Sequence, residues 1–130
     1  MENKYNEATP LRPDGDRVLN ADVVQLNLNQ SIAQIRNETS WKDSDRNSIT
    51  LFKSDSLRIV LMGLHKNAEL TTHTAKGMIS VQILEGRINF TAQNRQMILE
   101  QTQMIALHEN IEHSILALKE TFFLLTMVIK

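Results

Sequence analysis

Cysteine is absent from this 130-residue chain. That removes disulfides and thiolate metal sites and leaves the fold to its hydrophobic core. Glycine occurs four times, each time isolated, so no glycine-rich phosphate loop can be drawn. Neither sign of charge is in excess, with 14 basic and 15 acidic residues. A nucleic-acid partner would call for a basic patch, and a membrane surface for a run of lysine or arginine. No apolar run approaches the ~20 residues of a membrane span. The N-terminal MENKYNEATPLRPDGD lacks the apolar stretch of a secretory leader. These absences give the expectation of a soluble cytoplasmic protein without nucleic-acid or membrane partners.

What is present is enough for one domain with a core. Residues 1–16 hold both prolines, a Pro-Asp-Gly turn and few large apolar groups, and are expected to form a flexible arm. Residues 17–130 are expected to form the single domain. Ala21–Leu28 ends in Gln-Leu-Asn-Leu alternation and predicts a half-buried strand. Asn29 is positioned to cap a short helix through Asn37, with Ile32 and Ile35 on one face. Glu38–Asn47, which carries the only tryptophan, Trp41, reads as a polar loop.

From Ser48 onward, short apolar runs alternate with turn chemistry. The turns fall at Lys53-Ser54-Asp55, Lys66-Asn67, Ala75-Lys76-Gly77, Glu85-Gly86, Gln93-Asn94, Gln101-Thr102, Glu109-Asn110 and Lys119-Glu120. Strands at this rhythm, without intervening helices, predict an all-β sandwich or barrel. Leu57–Leu64 and Phe122–Ile129 are apolar at nearly every position. A strand with one wet face alternates, so both should be covered on two sides. The second cover is expected to be a partner subunit in a homodimer, or alternatively the N-terminal helix and strand.

Two segments carry the clearest signal. Asn67–Gly86 reads NAELTTHTAKGMISVQILEG and Thr102–Ala117 reads TQMIALHENIEHSILA. They resemble the two signature motifs of the cupin superfamily, and the likeness covers about Leu57–Val128. In the first family motif (Gly, five residues, His, one, His, three or four, Glu, six, Gly), His73 and Gly86 match. Ala75 stands at the second His and Ile79 at the Glu. In the second (Gly, five residues, Pro, one, Gly, two, His, three, Asn), only His113 matches. Thr102, His108, Asn110 and Ala117 occupy the remaining positions. The whole chain is similar to small single-domain bacterial cupins with a GDRVL-type entry and a DRNSITLFKSD-type segment, a group without a settled activity.

The resemblance implies a cupin-type jelly-roll β-barrel with a short N-terminal helix and an arm. It does not imply a reaction, since one fold hosts many functions. Family parity places Thr71, His73 and Ala75 towards the barrel mouth, with Ile79, Val81 and Ile83 inside. Met78, Ser80, Gln82 and Leu84 then face outwards, and His113, Ile115 and Ala117 line the opposite wall. The implied pocket is His73, Ala75, Ile79, Val81, His113, Ile115 and Met127, with Leu125 as a further candidate. Zinc enzymes use about three protein ligands and non-haem iron two His and a carboxylate. With Ala75 and Ile79 at two ligand positions, the expected reading is a barrel that binds a small, partly apolar molecule without a tightly bound metal. The alternative is a metal-dependent oxygenase or isomerase in which His65, His73, His108 and His113 hold zinc, manganese or iron. A third possibility is an interaction domain with a filled barrel. Glu69, Glu109 and Glu112 lie near the mouth in sequence and take no role. Asp43, Asp45 and Arg46 read as a solvated loop.

Overall fold

The computed structural model describes residues 17–129 together with Tyr5 and Asn6. Strands β1 (Tyr5–Asn6) and β2 (Arg17–Val18) pair antiparallel. The rest of the expected arm lies outside the described residues. Two helices follow, α1 (Leu28–Asn37) and α2 (Thr39–Asp43). Nine strands complete the chain: β3 (Arg46–Lys53), β4 (Leu57–Leu64), β5 (Glu69–His73), β6 (Ile79–Glu85), β7 (Arg87–Ala92), β8 (Arg95–Glu100), β9 (Met104–Leu107), β10 (His113–Ala117) and β11 (Thr121–Val128). They form a five-stranded sheet, β3-β4-β11-β6-β9, and a four-stranded sheet, β5-β10-β7-β8. All pairings are antiparallel. This is the expected all-β jelly roll, drawn as two facing sheets rather than a closed barrel. No helix among the described residues is long and apolar enough to cross a membrane.

All eight expected turns lie between strands. Asn67, Gln93, Asn94, Thr102 and Asn110 take positive φ, a conformation asparagine tolerates better than most residues and β-branched Thr102 does not. Gly86, at φ 96°, turns β6 directly into β7. A Cβ there would approach the Glu120 carbonyl and Thr121, so glycine is required for both conformation and space.

Between the sheets, Val81, Ile83, Ile88, Phe90, Ile115, Ala117 and Phe123 form the inner core. β6 alternates as parity requires, with Ile79, Val81 and Ile83 buried and Met78 exposed. A second core lies on the outer face of β3, β4 and β11. There Ile32, Ile35 and Trp41 from the helices meet Ile49, Leu51, Leu61 and Phe122. The consecutive residues Phe122 and Phe123 therefore bury on opposite sides of one strand. This explains the unbroken apolar runs: the chain's own helices supply the second cover, and the runs no longer require a partner subunit.

Three local expectations change. Residues 21–27 form no strand, and Val23 is 87% exposed. They run beside the edge strand β3, where Lys53 donates from its backbone N–H to the Leu19 carbonyl just before them, but form no ladder with it. The α1 cap is Asn27 rather than Asn29; its side chain accepts from the Gln30 backbone N–H at 3.1 Å. The expected polar loop contains α2, and Trp41 is only 6% exposed. Arg36 pins this layer by lying 4.6 Å over the Phe122 ring and pairing with Glu85 and Glu120. Arg46, expected in a solvated loop, opens β3; it pairs with Asp45 at 2.8 Å and donates to the Glu69 carbonyl at 2.9 Å.

Candidate functional site

His73 ends β5 and His113 begins β10, and the two residues are direct cross-strand partners. Opposite residues of an antiparallel pair point to the same face, so the register puts two imidazoles side by side. Their centroids are 4.2 Å apart, edge to face. His113 is 4% exposed and stacks on Phe90 at 5.6 Å; His73 is exposed.

Each ring is fixed in the same way. His73 Nδ1 lies 2.8 Å from the Thr71 carbonyl and His113 Nδ1 lies 3.0 Å from the Ile111 carbonyl. A carbonyl only accepts, so Nδ1 carries the proton in both rings. Nε2 then holds the lone pair of the neutral ring, and it has no hydrogen-bond partner among the described residues. Burial pushes the His113 pKa below the ordinary histidine value, and the nearby His73 adds to this against the opposing Ile111 hydrogen bond.

The facing wall comes from the five-stranded sheet. Ile79 of β6 and Met127 of β11 are cross-strand partners. Together with Leu125, Val128 and Ile129 they line a pocket of about 310 Å³ with the two imidazoles, Ala75 and Lys76. The loop joining β5 to β6 closes one side. Gly77 is buried there so closely against β11 that an added Cβ would collide with the Val128 carbonyl. Across the mouth, the Asn110 backbone N–H donates to the Ala75 carbonyl at 2.8 Å. The two motif loops are thereby tied to each other.

Of the expected pocket residues, His73, Ala75, Ile79, His113 and Met127 line this space, as does Leu125. Val81 and Ile115 do not; they lie in the inner core, with Ile83 and Ala117. Thr71 contributes its carbonyl to His73. The sequence reading missed Thr74, Lys76, Gly77, Val128 and Ile129. Gly77 carried a signal, an isolated glycine inside the first motif. Val128 and Ile129 carried none beyond ending an apolar run.

The four histidines are not brought together. His65 stacks on Trp41 at 3.6 Å, and its Nε2 donates to the Trp41 carbonyl at 2.8 Å. His108 is exposed beside Glu109, at 3.8 Å, on a groove lined by residues of β6, β9 and β11. The expected rearranged site therefore does not assemble, because β4 delivers His65 to the helix layer and β9 leaves His108 outside. No group of three His, Cys, Asp or Glu suited to a metal occurs among the described residues. The pocket itself offers two nitrogens, with a methyl group at Ala75 and a branched hydrocarbon at Ile79. That donor set does not fit the three protein ligands of a zinc enzyme or the two-His, one-carboxylate set of non-haem iron.

A larger recess, of about 490 Å³, adjoins the start of β10, and His113 lines both spaces. Thr72, Thr91, Asn94, Asn110, Glu112 and Ser114 line it. It collects surface amides and hydroxyls, whereas the two-histidine pocket combines convergent nitrogens with an apolar wall, the usual composition of a small-molecule site.

No family model and no curated protein matches the chain. Solved structures do. A conserved Streptococcus pyogenes protein of unknown function is 27% identical, over 68% of this chain and 78% of that one, with a TM-score of 0.63. A cupin superfamily protein from Desulfitobacterium hafniense is 19% identical, over 65% and 78%, with a TM-score of 0.64. A salicylate 1,2-dioxygenase from Pseudaminobacter salicylatoxidans is 13% identical with a TM-score of 0.69. That match takes in 78% of this chain and only 34% of the dioxygenase. At these identities the last two likenesses concern the fold alone: the chain is folded like proteins of the cupin superfamily.

Proposed function

We propose that the chain binds a small, partly apolar molecule in the pocket between β5, β6, β10 and β11, without a tightly bound metal. The observation that carries this reading is the paired imidazoles. Two rings 4.2 Å apart, each oriented by a backbone carbonyl, face a wall of Ile79, Leu125 and Met127. The hydrocarbon supports burial of a ligand body, and the Nε2 atoms support orientation of a polar head. The competing reading, a metal-dependent oxygenase or isomerase, draws on enzymes among the fold's relatives. Here it has only two nitrogen donors to work with.

Elemental analysis of protein purified without chelator, combined with a thermal-shift screen of small amphiphilic compounds, tests the proposal. Substoichiometric metal and ligand-dependent stabilisation that disappears in His113→Gln are expected. Stoichiometric bound metal would reverse the choice between the two readings. No stabilising compound, or stabilisation indifferent to His113→Gln, would move the site elsewhere.

A homodimer remains part of the proposal on a narrower basis. With the helices covering β3, β4 and part of β11, the apolar surface left on the large sheet is the outer face of β6 and β9. Met78 and Met104 are exposed there. Light scattering should give twice the 14.9 kDa chain mass, and a monomer that persists on concentration would remove the dimer.

A further inference from the structure

The two histidines do more than mark a pocket; their protons are already committed. In each ring Nδ1–H is donated to the carbonyl two residues earlier. Each neutral ring therefore offers the pocket an acceptor and no donor. Two such acceptors, on cross-strand partners, form one side of a space whose opposite wall is hydrocarbon. We propose that the pocket selects a neutral ligand carrying a hydroxyl donor on a small apolar body, an alcohol or a phenol, in preference to a carboxylate. This rests on the small-molecule reading above and assigns its ligand class.

The other charge types fit less well. A carboxylate is acceptor-only and would face two lone pairs unless a ring were protonated, and the one cation of the lining, Lys76, is solvent-exposed, where an ion pair is worth little. Burial of His113 and its neighbour His73 both oppose protonation of that ring. An ammonium has donors to give, yet no acidic residue lines the pocket to balance its charge, and the lining residue that is itself charged is Lys76. A desolvated cation without a counter-charge is costly. A neutral hydroxyl avoids both penalties. It donates to one Nε2, and a vicinal second hydroxyl could donate to the other. The volume of about 310 Å³ is at the small end of ordinary ligand pockets and suits a single ring or a short branched chain.

Titration of the purified protein with phenol, anisole and benzoate, followed by NMR chemical shifts at a pH above the histidine range, separates the possibilities. The three share an aromatic body and differ in the head: a donor, a methylated oxygen and a carboxylate. Phenol is expected to bind about five- to tenfold more tightly than anisole, the worth of one net hydrogen bond. Benzoate should be weaker than phenol. His73→Phe, at an exposed position that leaves the core intact, should narrow the phenol-to-anisole ratio, and His113→Gln should do so if it folds. Equal binding of phenol and anisole would overturn the donor assignment while leaving the small-molecule site standing. So would a ratio unchanged in His73→Phe. Tightest binding by benzoate would replace the ligand class by an acid. Binding of none of the three would overturn the site and the assignment together.

Discussion

The two layers on either side of the large sheet use the same residue type in opposite ways. In the outer layer, His65 puts its proton on Nε2, donates to the Trp41 carbonyl and lies flat on the Trp41 indole. Its Nδ1 is 4.0 Å from Glu120. In the inner layer, His73 and His113 put the proton on Nδ1, bonded to a carbonyl of their own strand approach, and leave Nε2 to the pocket. His65 is spent on the packing of helices against sheet. His113 is the more deeply buried of the two but keeps one nitrogen without a protein partner. The difference teaches that burial alone does not separate a structural histidine from a binding one; the assignment of the second nitrogen does.

The sharpest way to break this comparison is to damage the outer layer alone. Trp41→Ala removes the ring that touches His65 and lies 5.3 Å from Phe122. Truncating a buried aromatic of this size costs about 3–5 kcal/mol, read as a lowered midpoint in denaturant unfolding. Ligand affinity in the inner pocket should stay unchanged while the protein is folded. A parallel loss of affinity would mean that the two layers are one functional unit.

The second test supplies the inner layer with the donors it lacks. If His73, Ala75, Ile79 and His113 stand at the family's ligand positions, Ala75→His with Ile79→Glu should produce three imidazoles and a carboxylate around one point. Without metal the double variant should be less stable than wild type, because the new carboxylate sits in an apolar wall. Zinc at about a hundred times its dissociation constant should restore about 2.7 kcal/mol by linkage. Wild type should gain little. A folded double variant indifferent to zinc would show that these four positions do not converge.

The smallest expected effect is a pH slope. The folded His113 resists protonation, so its pKa lies below the ordinary 6.5. His73 faces it from β5, Lys76 lines the same pocket, and Glu112 precedes it in the chain. Above about pH 6.5 the ring is neutral in both folded and unfolded chains and pH changes nothing. As pH falls below that, the unfolded chain takes up a proton that the folded chain refuses, and stability drops. The loss is complete once pH passes the lowered folded value. His113→Gln should remove this component from the stability-versus-pH curve. Identical slopes in the two proteins would show that His113 does not carry the loss.

Much of the inner layer was legible before any coordinates. Several turns announced themselves through Asn and Gly at positions of unusual backbone, and strand parity then assigned Ile79, Val81 and Ile83 inwards. The cross-strand meeting of His73 and His113 was not: the motifs alone put His113 on the wall opposite His73, whereas β5 and β10 pair within one sheet and make the two residues neighbours. The outer layer was less legible because its contacts are long-range. Nothing near Trp41 in sequence indicates His65 or Phe122, although a lone tryptophan in a polar stretch is itself a hint of burial. Residues 21–27 misled for the converse reason: alternation describes a strand's faces but not whether its backbone pairs with a neighbouring edge. The tautomers were out of reach altogether, since each depends on which carbonyl stands beside a ring.

The bond from the Asn110 backbone N–H to the Ala75 carbonyl has a kinetic consequence. It joins the loop between β5 and β6 to the loop between β9 and β10, beyond the ends of the ladders that pair β5 with β10 and β6 with β9. Whatever admits a ligand by parting these loops must break it, and whatever holds them shut must keep it. The Asn110 amide proton is therefore a built-in clock for the entrance: its exchange with deuterated solvent reports how often the mouth opens, independently of whether the sheets beneath it ever unfold.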